Sequence, residues 1–333
     1  MTDAKRVVVT GATGMIGRAL CQRLVASGYA VVAFSRDPQR ARREVPGAAE
    51  YLAWSPAEDG PWAEAVNGAH AVIHLAGASL FGKRWSAAYK REIIASREIG
   101  TRGIVNAIEK ARVRPAAFVS MSAIGVYGPH GPEPLDESAA AGDDFLARVC
   151  KIWEREAARA ESLGVRTVIF RSGVVLSAPE RKGLPIDLAK IAPDRPGLVL
   201  DTEAGAFPLL QMPFFFFAGG PILPGTQYLS WIHLDDTVGL LMLALEDARA
   251  RGPLNATAPE PQTNQAIAQT IGRAMGRPAW LPVPGFAMKL MLGEMADMIT
   301  TGQRVLPKKA QGLGYQFRYA TSEQAIRALL AGR

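Results

Sequence analysis

Cysteine is scarce in this 333-residue chain: there are two, Cys21 and Cys150, and both fall in segments with helical spacing. So few thiols exclude a disulfide framework and suit a reducing compartment, so a cytoplasmic location is expected. Histidine is sparse too, four residues with no His/Cys pairs at ligand spacing, and no catalytic metal is expected. Long apolar runs are missing. The longest, Leu209 to Ala218, is about half the roughly 20 residues a membrane helix needs, and Pro213 interrupts it. Met1 to Arg6 lead straight into a strand-like segment, without the basic, apolar and small-residue order of a secretory leader. Neither export nor a membrane partner is expected.

Apolar residues make up 48% of the chain and charged residues 21%, which allows a large core in one domain or two. A net charge of +7 raises the question of nucleic acid, but the basic residues are scattered. The densest run, Arg36 to Arg43, follows a strand-like segment, where it would meet a cofactor phosphate instead of a polymer. With no zinc pattern, RNP motif or basic heptads, no nucleic-acid partner is expected.

Val7 to Val9 form an apolar run, followed by a glycine turn, an amphipathic stretch from Met15 to Ser27, and a second run from Ala30 to Phe34. This is a βαβ unit. Further continuous apolar runs at Ala71 to Leu75, Ala117 to Ser122 and Thr167 to Phe170 predict a parallel sheet buried on both faces. Helical spacing over Ala87 to Arg112 and Asp143 to Leu163 separates them. The fold class predicted is α/β: a Rossmann doubly wound parallel sheet with a smaller C-terminal part on the substrate side. The divisions expected are a nucleotide-binding domain over 1–177, with 228–260 returning to it, an insertion or lid over 178–227, and a C-terminal domain over 261–333. The stretch from Ala178 to Pro224, with its run Phe214 to Phe217, reads either as an excursion over the crevice or as packing.

The strongest motif is Thr10-Gly11-Ala12-Thr13-Gly14-Met15-Ile16-Gly17, set between strand and helix. Gly11 permits a tight turn, Gly14 lets backbone N–H groups of the Thr13 to Ile16 segment approach a pyrophosphate, and Gly17 lets helix and strand pack closely. At the tip of the second strand, where a carboxylate would bind a ribose 2′-hydroxyl, the chain has Ser35 followed by Arg36 and Asp37. An arginine there forks onto a 2′-phosphate, so NADPH is favoured over NADH; the alternative is a solvated Arg36 with Asp37 turned inward. Leu75, Ala76 and Gly77 close another strand with small residues under a cofactor, and Met121 and Ser122 end the next.

The glycine motif, the Leu75–Gly77 turn and the Ser122 to Gly128 segment resemble an extended short-chain dehydrogenase/reductase of the epimerase/dehydratase kind. Lys83-Arg84-Trp85, Ser96-Arg97, Cys150 with Trp153-Glu154, Arg171 to Leu176, Trp231 to Asp236 and Gly302 to Pro307 resemble more narrowly an atypical subfamily with a C-terminal domain of unknown role. The resemblance covers nearly the whole chain, with a gap at about Pro179 to Phe207. It implies a nicotinamide cofactor. Extended reductases use a Tyr-x-x-x-Lys pair on the helix after the serine strand, and here that pair is absent, as the atypical subfamily implies: counting back from Glu154 puts Cys150 at the lysine position and Leu146 at the tyrosine position. Tyr127 does not restore it, since Gly131 lies four residues on.

Ser122 is the candidate for holding a substrate oxygen and Tyr127 a stand-in acid. Lys151 reads as an exposed lysine and Cys150 as a small packing residue. Lys83, Arg84 and Trp85 present charge and an aromatic face to an anionic substrate, or form a solvated loop. His233 faces the substrate or serves a structural role beside Asp235 and Asp236. Two functions from different classes follow. One is an NADPH-dependent oxidoreductase or epimerase-like enzyme acting on a small polar substrate. The other is a non-catalytic dinucleotide-binding regulator or scaffold, linked to cell division through the labels some relatives carry. By resemblance, the two long helices are expected to pair across a twofold axis in a homodimer.

Overall fold

A computed structural model of the chain describes residues 4–56, 60–178 and 206–332. Its first half lays down strands β1 (Arg6–Thr10), β2 (Ala30–Ser35), β3 (Glu50–Ala53), β4 (Ala71–His74) and β5 (Ala117–Ala123). There follow β6 (Pro134–Leu135), β7 (Arg166–Ser172), β8 (Val174–Leu176), β9 (Tyr228–Leu229), β10 (Trp231–His233), β11 (Gly252–Ala256), β12 (Gln262–Thr263) and β13 (Arg304–Val305). The helices are α1 (Met15–Ala26), α2 (Pro38–Glu44), α3 (Ala87–Lys110), α4 (Phe145–Ser162), α5 (Phe207–Phe215), α6 (Leu234–Glu246) and α7 (Asn264–Met275), then α8 (Gly285–Leu292), α9 (Asp297–Thr300), α10 (Lys308–Gly312) and α11 (Ser322–Leu330).

Seven strands form one parallel sheet in the order β11-β7-β5-β4-β1-β2-β3. Chain order reverses between β1 and β4, and a doubly wound sheet opens its ligand crevice at that point. The continuous apolar runs are explained by burial on both faces. Val7, Val9, Ala33, Ile73 and Val119 pack against α1 and α6 through Leu20, Leu24 and Leu241. Val8, Val32, Phe34, Val72 and Phe118 turn the other way, onto Ile104, Ile108 and Ala157 of α3 and α4. Alternation along each strand fills both layers, so no strand shows the polar-out pattern of a half-exposed sheet.

A third apolar cluster lies in the C-terminal part, where Ile267 and Ile271 of α7 meet Ile326 and Leu329 of α11, together with Phe207, Phe214 and Trp231. The phenylalanine run therefore divides. Phe214 is buried, whereas Phe215, Phe216 and Phe217 are exposed. The expected lid falls largely outside the described residues. β9 and β10 are separated by Ser230, whose Oγ donates to the Gln303 carbonyl at 2.7 Å and accepts from the Val305 N–H at 2.9 Å. Among the described residues no helix is long and apolar enough to cross a membrane.

Candidate functional site

The β1–α1 turn has the conformation its glycines predict. Gly11 adopts φ +67°, and a Cβ there would stand 3.0 Å from the backbone of Leu75 and Ala76. Gly17 has even less room: its Cβ would lie 2.1 Å from the Gly11 carbonyl oxygen, so helix and turn are in backbone contact. Gly14 differs from both. A Cβ on it would meet only the Gly11 oxygen, at 3.3 Å, and its far side is open. As N-cap of α1 it offers no side-chain acceptor, and no acidic residue stands in the first turn. The leading N–H groups of α1, at Met15, Ile16 and Gly17, are thus left for an anion, and the helix dipole favours one there. These residues fit a dinucleotide pyrophosphate. Thr13 helps to hold the loop, its carbonyl accepting from Arg18 Nη1 at 2.6 Å. Met15 Sδ accepts from Ser177 Oγ at 3.0 Å, and Ile16 packs on the core.

At the tip of β2, Ser35 Oγ accepts from the Asp37 N–H at 3.2 Å and donates to the Asp37 carbonyl at 3.0 Å. The Asp37 carboxylate is turned onto α2, accepting from the N–H groups of Gln39 and Arg40 at 3.0 Å each as the N-cap. Asp37 is therefore not turned inward. Arg36 is exposed and has no hydrogen bond or ion pair among the described residues. Farther along the basic run, Arg40 pairs with Glu44 at 2.7 Å and Arg42 lies over the Tyr51 ring.

The β4 turn is anchored to β1. Thr10 Oγ1 accepts from the N–H groups of Leu75 and Ala76, at 3.2 Å each, so its own proton goes to His74 Nδ1 at 2.7 Å. That arrangement makes His74 the Nε2–H tautomer. Burial pushes its pKa down to about 3. Gly77 is exposed, and the space its missing side chain leaves is taken by the Arg97 guanidinium, 3.3 Å from where a Cβ would stand. Met121 is buried against the α1/α6 layer.

From the end of β5 onward the structure departs from expectation. Ser122 is 1% exposed and donates to Glu154 Oε1 at 2.7 Å. Arg171 grips the same carboxylate with Nε at 2.9 Å and Nη2 at 2.8 Å, and its Nη1 donates to the Tyr127 hydroxyl at 2.9 Å. Tyr127, with none of its surface exposed, donates in turn to Asn255 Oδ1 at 2.7 Å. Asn255 bonds Glu137 through its N–H and the Leu306 carbonyl through Nδ2, which ties the chain of contacts to the C-terminal part. In this arrangement the Tyr127 hydroxyl is enclosed and engaged by Arg171 and Asn255, unlike the free acid expected of it. Burial raises its pKa, and Arg171 offsets that only in part. Nothing in the sequence marks Glu154, Arg171 and Asn255 as a unit. Glu154 and Arg171 stand inside the Cys150 to Glu154 and Arg171 to Leu176 motifs, but only the fold shows that they meet.

Of the outlying candidates, His233 caps α6: its Nδ1 accepts from the Asp235 N–H at 3.1 Å and its ring lies 3.9 Å from that of Tyr319. These contacts are of the structural kind, and burial lowers the His233 pKa. Lys83 pairs with Glu92 at 3.4 Å on the surface, and Trp85 donates to the Leu80 carbonyl at 2.8 Å while packing on Phe145. Arg84 is exposed and stands against Gly293. Nearby, Lys90 pairs with Glu294, so this loop and the start of α3 abut the C-terminal part. Cys150 is buried and its thiol is pushed up to about 12. Lys151 is exposed and donates to the Gly142 carbonyl at 2.9 Å. Among the described residues no cluster of three or more His, Cys, Asp or Glu is arranged to hold a metal.

A reversed strand order with an uncapped, glycine-opened helix N-terminus at the switch point defines a dinucleotide-binding protein of the Rossmann type. The chain belongs to the NAD dependent epimerase/dehydratase family, which matches residues 7–256, and a domain of unknown function (DUF1731) matches residues 283–329. It is 38% identical over 327 residues to the chloroplastic epimerase family protein SDR39U1 homolog of Arabidopsis thaliana, covering 97% of this chain and 86% of that protein. It is 36% identical to epimerase family protein YfhF of Bacillus subtilis, covering 98% of each. Among solved structures, human epimerase family protein SDR39U1 (isoform 2) with NADPH superposes with a TM-score of 0.81 at 32% identity, covering 98% of this chain and 100% of that one.

Proposed function

We propose that this family member binds NADPH in preference to NADH and has lost side-chain proton transfer at the reacting end, so that it works as a dinucleotide-binding regulator or scaffold. One observation carries this reading: Ser122 and Tyr127 are both buried and joined through Glu154 and Arg171. A proton donor must come within about 2.6–3.2 Å of a substrate oxygen, and neither hydroxyl has surface to offer one. Leu146 and Cys150 stand where the family's tyrosine and lysine would be, and the Cys150 thiol is neutral at ordinary pH. The preference for NADPH rests on Arg36, which is unpaired among the described residues, while Asp37 is engaged in capping α2; the human relative was crystallised with NADPH.

The turn from Gly11 to Gly17 would hold the pyrophosphate, Ser35 and Arg36 the 2′-phosphate, and Leu75 to Gly77 the intervening backbone. When bound, NADPH supplies a transferable hydride. The second reading, an oxidoreductase or epimerase-like enzyme for a small polar substrate, is favoured by the buried positive charge of Arg97 beside the β4 turn. Twofold pairing through α3 and α4 belongs to the proposal as well; the ion pairs of Arg102 with Glu98 and Glu156 lie along these helices. The two readings separate when protein and NADPH are incubated with a panel of carbonyl compounds while nicotinamide absorbance is followed and NADPH affinity is measured by calorimetry. Binding without oxidation supports the regulator. Catalytic oxidation by any carbonyl overturns it.

A further inference from the structure

Three arginines are buried among the described residues: Arg18, Arg97 and Arg171. Two of them face carboxylates. Arg171 holds Glu154 through two nitrogens, and Arg18 lies 4.0 Å from Glu44. Arg97 has no acidic partner among the described residues. Its Nη1 is used by two main-chain carbonyls, Ala78 at 3.1 Å and Ile93 at 3.2 Å, and its guanidinium lies over the Trp153 ring, 4.9 Å from the centroid. Removing a cation from water without a counter-charge is unfavourable, and burial lowers the Arg97 pKa accordingly.

The unused edge of the guanidinium is chemically specific. Nε and Nη2 have no acceptor among the described residues, yet neither is among the fully enclosed unpaired atoms, so both retain access. Together they form the side-on fork that matches the two oxygens of a carboxylate or phosphate. The location is specific too. Gly77, at the end of the turn that backs Gly11, puts no side chain against the guanidinium, which lies 3.3 Å from where a Cβ would stand. Trp153, on which it stacks, is three residues beyond Cys150 on α4, the position where the family places its lysine.

We propose that Arg97 is an oxyanion-binding residue that holds a carboxylate or phosphate of a second ligand beside the dinucleotide site, through its Nε and Nη2. The position of this site rests on the dinucleotide reading, but anion binding does not depend on NADPH preference or on turnover. The test is calorimetric titration of the full chain with acetate, malonate and inorganic phosphate at constant ionic strength, with and without saturating NADPH. The wild type should bind at least one of these saturably. R97M should weaken that binding by about tenfold or more while leaving NADPH affinity unchanged. R97K, which keeps the charge and is the safer variant for folding, should fail to restore it, because lysine lacks the fork. Absence of saturable binding by the wild type overturns the proposal, as does equal binding by R97M or full rescue by R97K. Loss of NADPH affinity in R97M without an effect on the probes also overturns it, since the anion would then be the cofactor's own phosphate. A failure of NADPH to bind at all would count against the dinucleotide reading and leave the anion titrations interpretable by themselves.

Discussion

The Ser122 hydroxyl donates to Glu154 at 2.7 Å, so the strand-end serine is committed to α4. Through Arg171 the contact continues to Tyr127 and Asn255, and the two residues with the most catalytic appearance become part of one buried scaffold. Tyr127→Phe tests this. It leaves Asn255 Oδ1 without its donor and Arg171 short of an acceptor, which should lower unfolding free energy by about 1–3 kcal/mol. NADPH affinity should be unchanged. Urea unfolding and calorimetry check both, and unchanged stability would show that the hydroxyl is not part of the scaffold.

Gly14→Val places a branched side chain on the open side of the α1 N-terminus. The backbone meets no obstacle beyond the Gly11 oxygen at 3.3 Å, so the fold should persist, while the side chain fills the space a pyrophosphate needs. Circular dichroism should match the wild type and dinucleotide binding should be lost. Retained micromolar binding would move the cofactor elsewhere.

Arg36→Ala should lower NADPH affinity by on the order of tenfold to a hundredfold, the equivalent of a charge-assisted contact worth roughly 1.5–3 kcal/mol. NADH affinity should hardly change. Ser35→Asp should reverse the preference by repelling the 2′-phosphate and offering the 2′-hydroxyl an acceptor. Titration of the three proteins with both cofactors decides it; equal wild-type affinity for NADH and NADPH would exclude the 2′-phosphate site.

His74 links pH to stability. Its folded pKa of about 3 lies below the ordinary value of 6.5, so the unfolded chain binds the proton first as pH falls. Stability from the neutral ring is complete above pH 6.5 and declines toward pH 3, with a limiting slope of about 1.4 kcal/mol per pH unit. Urea midpoints between pH 7 and pH 5 should fall for the wild type. His74→Gln should flatten that slope, and identical slopes would rule His74 out as the cause.

The sequence alone determined the sheet, its parallel sense and the dinucleotide turn, because each depends on neighbours in the chain. Continuous apolar runs report burial on both faces, and the spacing of Gly11, Gly14 and Gly17 reports one turn and one helix start. Elements with weak local signals were not legible. β11 reads Gly-Pro-Leu-Asn-Ala, as a turn would, and α2 reads Pro-Gln-Arg-Ala-Arg-Arg-Glu, with no apolar period; the sheet edge and the Asp37 cap decide them. The reacting end was decided by tertiary structure alone. Tyr127 and Asn255 are 128 residues apart in the chain and meet at 2.7 Å. Whether a tyrosine serves as an acid or a buttress depends on which partners close over it, and no spacing rule encodes contacts between segments that the chain reaches so far apart.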